Sequence, residues 1–389
     1  MRTSPMPVPP TRPAPLRVAL VTESYPPDVN GVAHCALQTA RHLVRRGHQP
    51  LVIAPAPAPG VRVPHDGPAP VVRVPSLPLP GYPQFRVALP SRRLAAAVAA
   101  HRPDIIHLAS PFVLGARGVA LAARLGIPAV AVYQTDLAGY ARTYLGAGEL
   151  AAWRRIRAVH AAADLTLAPS SASLHALRAH NVPRVRLWAR GVDSARFHPD
   201  RRDPAVRREL ASDGELLVGY IGRLAPEKHV DLLARAAALP GVRVVVVGDG
   251  PSERALRAAL PRARFLGRRT GDDLARLYAA LDVFVHTGPF ETFCQTVQEA
   301  QASGVAVVAP AAGGPLDLVE HGRTGLLVPP RDPEALREAV AVLRDDAALR
   351  ARLAGGGLAA VAGRTWEAVG DQLLGHYAAL LDARAVAAG

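Results

Sequence analysis

Short apolar runs alternate with longer amphipathic stretches along most of the chain. Continuous runs of Val, Ile, Leu and Ala are typical of parallel strands buried on both faces, and stretches such as 32–46 and 114–125 have the apolar spacing of helices that cover such a sheet. The strand-like runs lie at 16–22, 48–55, 71–75, 104–109, 128–134 and 165–170, and again at 216–222, 242–250, 263–267, 283–287, 305–310 and 325–329. This pattern predicts an α/β fold with two Rossmann-like domains in series.

The alternation is interrupted near 190–210, where a glycine, two prolines and a run of charges have the composition of a linker. We therefore predict an N-terminal Rossmann-like domain over 16–195 and a C-terminal one over 196–365, preceded by a disordered proline-rich tail at 1–15. The segment 366–389 is amphipathic at helical spacing. We expect it to form a last helix that packs back across the domain join.

Composition favours a protein of a reducing compartment. The 389 residues are 49% apolar, which is enough for two cores, and the two cysteines, Cys35 and Cys294, imply no disulfide framework. Prolines interrupt the first fifteen residues, so no secretory signal is predicted. No window of about 18 residues lacks both charge and proline, so no membrane-spanning helix is expected. We predict a cytoplasmic location.

The net charge of +14 lies entirely in the first half: residues 1–195 hold 22 arginines against 8 acidic residues, and residues 196–389 hold 24 basic against 24 acidic residues. Such asymmetry indicates an anionic partner for the first half, either an acidic membrane surface or nucleic acid. Nucleic acid is disfavoured because the basic segments lack interleaved aromatic residues for stacking on bases.

The segment 149–165 offers a candidate for membrane contact. Trp153, Ile156 and Val159 fall near one helical face, with three arginines beside them at 154, 155 and 157. This arrangement fits an interfacial helix on an anionic bilayer. It fits equally well an ordinary helix that packs its apolar face into the core and exposes the arginines.

Two carboxylates frame the segment 289–304, PFETFCQTVQEAQASG. The pattern predicts a helix from about Thr292 to Ser303, ended by Gly304. Glu291 would then stand at its N-terminal edge and Glu299 about 12 Å further along the axis, where the two could address opposite ends of a ligand. The free N–H groups near Thr292, Phe293 and Cys294 would suit a phosphate. Alternatively, the two are a capping and a solvated glutamate.

The segment 222–230, GRLAPEKHV, contains Lys228, the one lysine among 46 basic residues. It follows a predicted strand and is expected to open a helix near Glu227, which puts Arg223 and Lys228 at the carboxyl edge of the second sheet. A guanidinium fork and a compact ammonium together suit a diphosphate. The alternative is a surface ion pair of Lys228 with Glu227 or Asp231.

Several motifs occur in a fixed order: GVD at 191–193, GR at 222–223 with Lys228, VGDGP at 247–251, FLG at 265–267, Glu291 and Glu299 separated by seven residues, and GGP at 313–315. In this order they resemble the family 4 retaining glycosyltransferases of GT-B fold, over nearly the whole chain after the tail. YQTDLAGYA at 133–141 and FETFCQTVQEA at 290–300 are most similar to the actinobacterial GDP-mannose-dependent α-mannosyltransferases that act on membrane glycolipids.

The resemblance implies roles at matching positions. Arg223 and Lys228 would hold the donor diphosphate and neutralise the leaving group, Glu291 would lie at the hydroxyls of the transferred sugar, and Glu299 would accept hydrogen bonds from the ribose. Further donor contacts are implied at Gly31, Gly267 and Arg268, and the predicted helix end adds Thr292, Phe293 and Cys294 as donor-binding residues. The GT-B fold implies a cleft between the two domains, and the partners implied are a nucleotide sugar, a lipid-linked acceptor and the inner face of the plasma membrane.

One position departs from the family pattern. Many relatives have a histidine where this chain has Gln134, which can hydrogen-bond a sugar hydroxyl but cannot exchange a proton near neutral pH. Asp136 is the nearest ionisable group, and it is as well suited to capping the loop as to contacting the acceptor.

The sequence indicates chemistry without a metal ion. No Asp-x-Asp occurs in the chain and no His, Cys and Asp residues recur at metal-ligand spacing, so we expect cationic side chains to stabilise the leaving diphosphate and no cofactor to be required. Two other functions stay open: a nucleotide-sugar 2-epimerase of the same fold, and a transferase that uses a UDP-sugar and a soluble acceptor. A binding protein without activity is disfavoured, since all four motif side chains are present.

Overall fold

The computed structural model describes residues 14–63, 67–79, 82–139, 148–211 and 214–388. The predicted tail at 1–15 lies outside these residues except for its last two positions. The chain forms two compact units, one of residues 1–108 with 113–129 and one of residues 109–112 with 130–389. Residues 130–195 thus belong to the same compact unit as the second sheet. The predicted domain boundary after residue 195 stays a prediction.

The first unit is built from strands and helices in alternation. Its elements are β1 Arg17–Val21, α1 Gly31–Arg45, β2 Gln49–Pro55, β3 Val71–Val74, β4 Ser76–Leu79, β5 Tyr82–Ala88, α2 Arg93–His101, β6 Ile105–Leu108 and α3 Leu114–Leu125. The parallel strands are ordered β3-β2-β1-β6, and β4 and β5 form a separate antiparallel hairpin. The sequence pattern did not predict this hairpin, because its strands are short and contain prolines.

The second unit continues the alternation and ends in three helices. Its elements are β7 Ala129–Val132, α4 Glu149–Ala161, β8 Leu165–Ala168, α5 Ser171–Ala179, β9 Val185–Leu187, α6 Pro204–Leu210, β10 Leu216–Ile221, α7 Leu233–Ala237, β11 Val242–Val247, α8 Glu253–Ala259, β12 Arg264–Gly267, α9 Gly271–Ala280, β13 Val283–Val285, α10 Gln295–Ala302, β14 Ala306–Pro310, α11 Pro315–Leu318, β15 Leu326–Val328, α12 Pro333–Asp345, α13 Ala347–Val361 and α14 Trp366–Ala388. None of the helices in the described part of the chain combines the length and the hydropathy that a membrane-spanning segment needs.

The second sheet has the strand order of a Rossmann fold. Its six strands are parallel and ordered β12-β11-β10-β13-β14-β15. Strands β11 and β12 lie on one side of β10 and strands β13 to β15 on the other, so the order in which strands are added reverses between β10 and β13. Ligands of open α/β sheets bind at the carboxyl ends of the strands at such a reversal. All six residues of β10 and all three of β13 are buried, as the continuous apolar runs predicted. The predicted α/β fold with two Rossmann-like halves is confirmed.

Helix α4 decides between the two alternatives for the segment 149–165. Trp153, Ile156 and Val159 are 9%, 4% and 3% exposed, and the Trp153 ring stacks on His180 with 3.6 Å between ring centroids. The three arginines on the other face are exposed: Arg154, Arg155 and Arg157. The interfacial helix was the wrong alternative, because protein already covers the apolar face that would have entered the bilayer.

Helix α14 packs onto residues of the first predicted domain, as expected. Its apolar residues Trp366, Val369, Leu373 and Tyr377 are buried. The Trp188 indole donates a hydrogen bond to the Val369 carbonyl at 2.9 Å, and Val192 bridges Thr365. A Cβ on Gly191 would lie 2.4 Å from the Trp366 nitrogen, so this contact requires glycine.

Replacing Gly191 with alanine is expected to loosen α14. The added methyl group has to push backbone aside, and overpacking of this kind costs about 1–3 kcal/mol of the free energy of unfolding. Gly375→Ala on α14 is the matched control, because nothing lies within 4 Å of its added Cβ. That variant should instead stabilise by about 0.5–1 kcal/mol. Chemical unfolding of both variants tests the pair, and equal effects would contradict the close contact at Gly191.

Candidate active site

Arg223 lies in the loop that leaves the carboxyl end of β10. The Tyr220 hydroxyl donates to the Arg223 carbonyl at 3.1 Å, and the guanidinium of Arg223 hydrogen-bonds the Glu227 carboxylate. The Arg223 side chain is 26% exposed. The Glu227 carboxylate thus binds the Arg223 guanidinium, and the Tyr220 hydroxyl fixes the backbone of the loop.

Two glycines of the motif VGDGP allow a close approach to this loop. A Cβ on Gly248 would lie 1.9 Å from the Gly222 carbonyl oxygen, and a Cβ on Gly250 would lie 2.2 Å from the Leu224 carbonyl oxygen. Leu224 also donates its N–H to the Asp249 carbonyl at 2.8 Å. The motif therefore helps to position Arg223 through backbone contact.

Lys228 ends a 3₁₀ turn over Pro226–Lys228, where an α-helix was predicted. The turn ends at Lys228 because the next residue, His229, adopts a left-handed conformation with φ of 48°, which stops helical propagation. Lys228 Nζ donates to Glu291 Oε1 at 2.5 Å, across 63 residues of sequence. The predicted alternative, a surface pair with Glu227 or Asp231, is replaced by an ion pair between two candidate catalytic residues.

Glu291 lies in a loop, which corrects the prediction that it stands at the N-terminal edge of a helix starting near Thr292. Helix α10 starts at Gln295, and Cys294 before it has φ of 78°. Two hydrogen bonds tie the loop to residues distant in sequence. Gly314 donates its N–H to the Glu291 carbonyl at 2.8 Å, and the Thr292 hydroxyl donates to the Gln134 carbonyl at 3.0 Å. Glu291 and Glu299 therefore do not share a helix, and their predicted separation along one axis does not apply.

The motif GGP supports the same loop. A Cβ on Gly313 would lie 2.6 Å from the Glu291 carbonyl oxygen, and one on Gly314 would lie 2.2 Å from the Phe293 carbonyl oxygen. Phe293 and Cys294 are 2% and 4% exposed. Their predicted contacts to a donor, with that of Thr292, stay predictions.

The charges around Glu291 are strongly coupled. Burial alone would raise the pKa of Glu291, but the Lys228 ammonium and the His286 ring outweigh burial and hold that pKa well below its usual range. His286 Nε2 lies 3.3 Å from Glu291 Oε1. Burial alone would lower the pKa of His286, yet the nearby Cys294 sulfur and the Glu291 carboxylate raise it to about 10. These neighbours therefore keep Glu291 as a carboxylate near neutral pH.

The structure brings together a set of metal-ligand atoms that sequence spacing did not reveal. A ring nitrogen of His286, the Cys294 sulfur and a Glu291 oxygen lie within 4.8 Å of one another. A cation there would have to displace the Lys228 ammonium from Glu291, to which Lys228 Nζ donates at 2.5 Å. These residues are thus poorly suited to a resident metal ion, and metal independence stays a prediction.

Glu299 lies on α10 in a partly buried position. Tyr278 donates its hydroxyl to Glu299 Oε2 at 3.1 Å. Burial raises the pKa of Glu299 to about 7, against the lowering effects of the hydrogen bond from Tyr278 and of the charge of Arg196. A carboxyl group with this pKa changes charge within the physiological range.

Gln134 and Asp136 are both engaged by protein groups. The Gln134 amide donates to the Ala109 carbonyl and accepts from Arg190 Nη2 at 3.0 Å, and the residue is 7% exposed. Asp136 Oδ1 accepts from the Gly139 N–H at 2.9 Å, which is the loop-capping alternative. Acceptor or sugar contacts of these two residues stay predictions.

The remaining predicted donor residues lie at element ends. Gly31 is the first residue of α1 in the first unit, where Asn30 caps the helix by accepting from the Ala33 N–H at 2.9 Å. Gly267 ends β12 with φ of 66°, and Arg268 follows it in an exposed position. Both Gly267 and Arg268 stand at the carboxyl edge of the second sheet, where the resemblance implies contacts to a base.

Two family models match the chain. The model described as Glycosyltransferase Family 4 covers residues 29–196, and the one described as Glycosyl transferases group 1 covers residues 215–346. The GDP-mannose-dependent alpha-mannosyltransferase of Mycobacterium tuberculosis is 49% identical over 370 residues, which are 94% of this chain and 97% of that protein. The chain belongs to glycosyltransferase family 4. The enzyme of the same name from Corynebacterium glutamicum is 44% identical to this family member, over 94% of the chain and 89% of that protein.

Solved structures confirm the fold of this glycosyltransferase. HepE from Anabaena, solved in complex with UDP, superposes with a TM-score of 0.76 at 23% identity and covers 94% of this chain and 100% of that one. Sucrose-phosphate synthase from Thermosynechococcus elongatus superposes with a TM-score of 0.79 at 23% identity, covering 94% and 99%. At this level of identity the likeness shows the GT-B fold alone.

Four side chains behind the glycosyltransferase site were missed at the level of sequence: Tyr220, Tyr278, His286 and Thr287. Tyr220 and His286 lie on or just after buried strands, and Thr287 donates its hydroxyl to the Lys228 carbonyl at 2.5 Å. The sequence did contain a signal for those near β10 and β13, namely polar residues at the carboxyl ends of these two predicted strands. The two strands flank the point where the strand order reverses, and ligands bind at that point in open α/β sheets.

The raised pKa of Glu299 predicts how this residue affects stability. An unfolded glutamate has a pKa near 4.5, so between that pH and about 7 the folded protein binds the proton more tightly, and stability falls as the pH rises through this window. Glu299→Gln removes the buried charge. The variant should gain stability relative to the parent at pH 8 and show little difference at pH 4.5, as measured by denaturant unfolding. Parallel pH dependences would contradict the shifted pKa.

Proposed function

We propose that this chain is a GDP-mannose-dependent α-mannosyltransferase that transfers mannose to a glycolipid with retention of configuration at the anomeric carbon. The observation that carries the donor assignment is the 49% identity, over 94% of the chain, with a relative named for that activity. The site supports it, because Arg223 and Lys228 stand where the second sheet reverses, a position suited to a sugar diphosphate.

In the proposed reaction, the bond between the anomeric carbon and the diphosphate oxygen breaks while the acceptor hydroxyl bonds to the same face of that carbon. The hydroxyl proton passes to the leaving diphosphate oxygen, and GDP departs. Negative charge grows on the diphosphate, and the ammonium of Lys228 and the guanidinium of Arg223 would stabilise it. These two cations support a transfer that needs no metal ion.

Lys228 also contacts the carboxylate that the resemblance places beside the sugar. Its ammonium lies 2.5 Å from Glu291 Oε1, and the two side chains are only 18% and 19% exposed. Low exposure strengthens the effect of a fixed charge on a developing one, since little water screens it. The same side chain would thus connect the leaving group with the transferred sugar.

The proposed activity predicts release of GDP from GDP-mannose in the presence of an alkyl glycoside, with mannose recovered on that acceptor in α-linkage. Lys228→Ala should lower kcat by about 10²–10³-fold, because charge stabilisation in the transition state is lost. Lys228→Arg should recover only part of it, since a planar fork does not reproduce a compact ammonium. The rates are measured by product chromatography and NMR.

The controls separate the competing functions. Octyl and methyl glycosides of one sugar compare a lipid-like with a soluble acceptor, and UDP-glucose replaces GDP-mannose in a parallel series. A new nucleotide sugar formed without any acceptor would indicate an epimerase. Full activity of Lys228→Ala, with its fold checked by circular dichroism, would contradict the assignment of that residue.

We further propose that the enzyme works on an anionic membrane surface at the inner face of the plasma membrane, where a lipid-linked acceptor resides. The excess charge of the first half supports this proposal, since residues 1–195 carry the whole +14. Strand β4 adds exposed apolar residues, with Leu77 56% and Leu79 37% exposed. Exposed leucines on a basic unit suit the interface of an anionic bilayer.

Sedimentation with anionic vesicles is expected to pull down the full chain at low salt and much less of it at high salt, because the attraction is screened. Leu77→Glu should weaken vesicle binding, since it adds like charge to the lipid and removes an apolar contact. Val342→Glu is the matched control, because Val342 is 49% exposed on α12 in the other unit. Equal binding to neutral and anionic vesicles would contradict the proposal.

A further inference from the structure

His286 lies directly after β13 and is 3% exposed. Its Nε2 is 3.1 Å from the Gly288 carbonyl oxygen and 3.3 Å from Glu291 Oε1. An N–H on Nε2 can be shared between the two oxygens. The imidazole therefore ties the carboxylate of Glu291 to the backbone of the loop that carries it.

The ring itself is held in place. It stacks against Tyr220 with 6.5 Å between centroids and 15° between planes, and the Tyr220 hydroxyl donates to the Arg223 carbonyl. The next residue, Thr287, donates to the Lys228 carbonyl. Gly288 is also confined, because an added Cβ would lie 3.3 Å from both His286 Nε2 and the Lys228 side chain. The His286 ring is thus fixed in orientation beside Glu291.

The two contacts of Glu291 fall on one oxygen. Lys228 Nζ and His286 Nε2 both bind Oε1. Among the residues that the structure describes, Oε2 has no hydrogen-bond partner. One carboxylate oxygen is therefore anchored, and the other can accept a hydrogen bond from a ligand.

We propose that His286 is a positioning residue, which holds Glu291 so that Oε2 accepts a hydrogen bond from a hydroxyl of the transferred sugar; this rests on the proposed function. Lys228 alone does not fix the carboxylate, because an ammonium on a flexible stem attracts it from many directions. A planar ring locked by stacking donates in one direction. His286 thus sets the orientation of the Glu291 carboxylate.

The test compares His286→Asn with His286→Gln in the full chain. A glutamine amide reaches about as far as Nε2 and can still donate to Glu291, whereas the asparagine amide is too short. Calorimetry measures the affinity for GDP and for GDP-mannose, and turnover gives kcat and KM. His107→Leu serves as a control for loss of a buried histidine, because His107 is 1% exposed on β6 in the other unit.

We expect His286→Asn to lower kcat by about 10²-fold, as a misplaced group of this kind does, while the affinity for GDP stays within about threefold. The extra affinity that the mannosyl group adds over GDP should be lost in the same variant. His286→Gln should recover most of both quantities. His107→Leu should alter thermal stability and leave the affinity ratio of GDP-mannose to GDP unchanged.

Two results would overturn the role of His286. One is a kcat of His286→Asn within about twofold of the parent. The other is equal weakening of GDP and GDP-mannose with no recovery in His286→Gln, which would show a merely structural histidine. Failure of the proposed function looks different, because the parent itself would then neither bind nor turn over GDP-mannose.

Discussion

The ion pair between Lys228 and Glu291 is the interaction around which the rest of the site is arranged. Its two side chains are less than one-fifth exposed, so each has lost much of its hydration and depends on the other for compensation. The attraction between the two charges offsets their lost hydration only when their geometry is fixed. Tyr220, His286 and Thr287 supply that geometry through hydrogen bonds to backbone and carboxylate groups.

The sheet explains why two residues 63 positions apart meet. Strands β10 and β13 are neighbours at the point where the winding reverses, so the loops that leave their carboxyl ends stand side by side. Glycines at 248, 250, 313 and 314 let further loops approach the backbone of these two. Several family motifs are therefore packing requirements that support the charged residues from behind.

Burial changes the chemistry of groups that look alike in sequence. Glu291 and Glu299 are two glutamates of one motif, yet Lys228 and His286 lower the pKa of Glu291, whereas burial raises the pKa of Glu299 to about 7. Helix α4 shows the same dependence on context. Its apolar stripe suited a bilayer and a core equally well, and the contacts of Trp153 decide for the core.

The sequence by itself determined the α/β class, nearly every buried strand, the final amphipathic helix and the segments that carry Arg223, Lys228, Glu291 and Glu299, because apolar periodicity and motif order are local properties of the chain. Only the tertiary structure decided that Lys228 pairs with Glu291, that α10 begins at Gln295 and that His286 stands beside the carboxylate. Charge pairing, burial and loop conformation depend on residues distant in sequence, which no local pattern records.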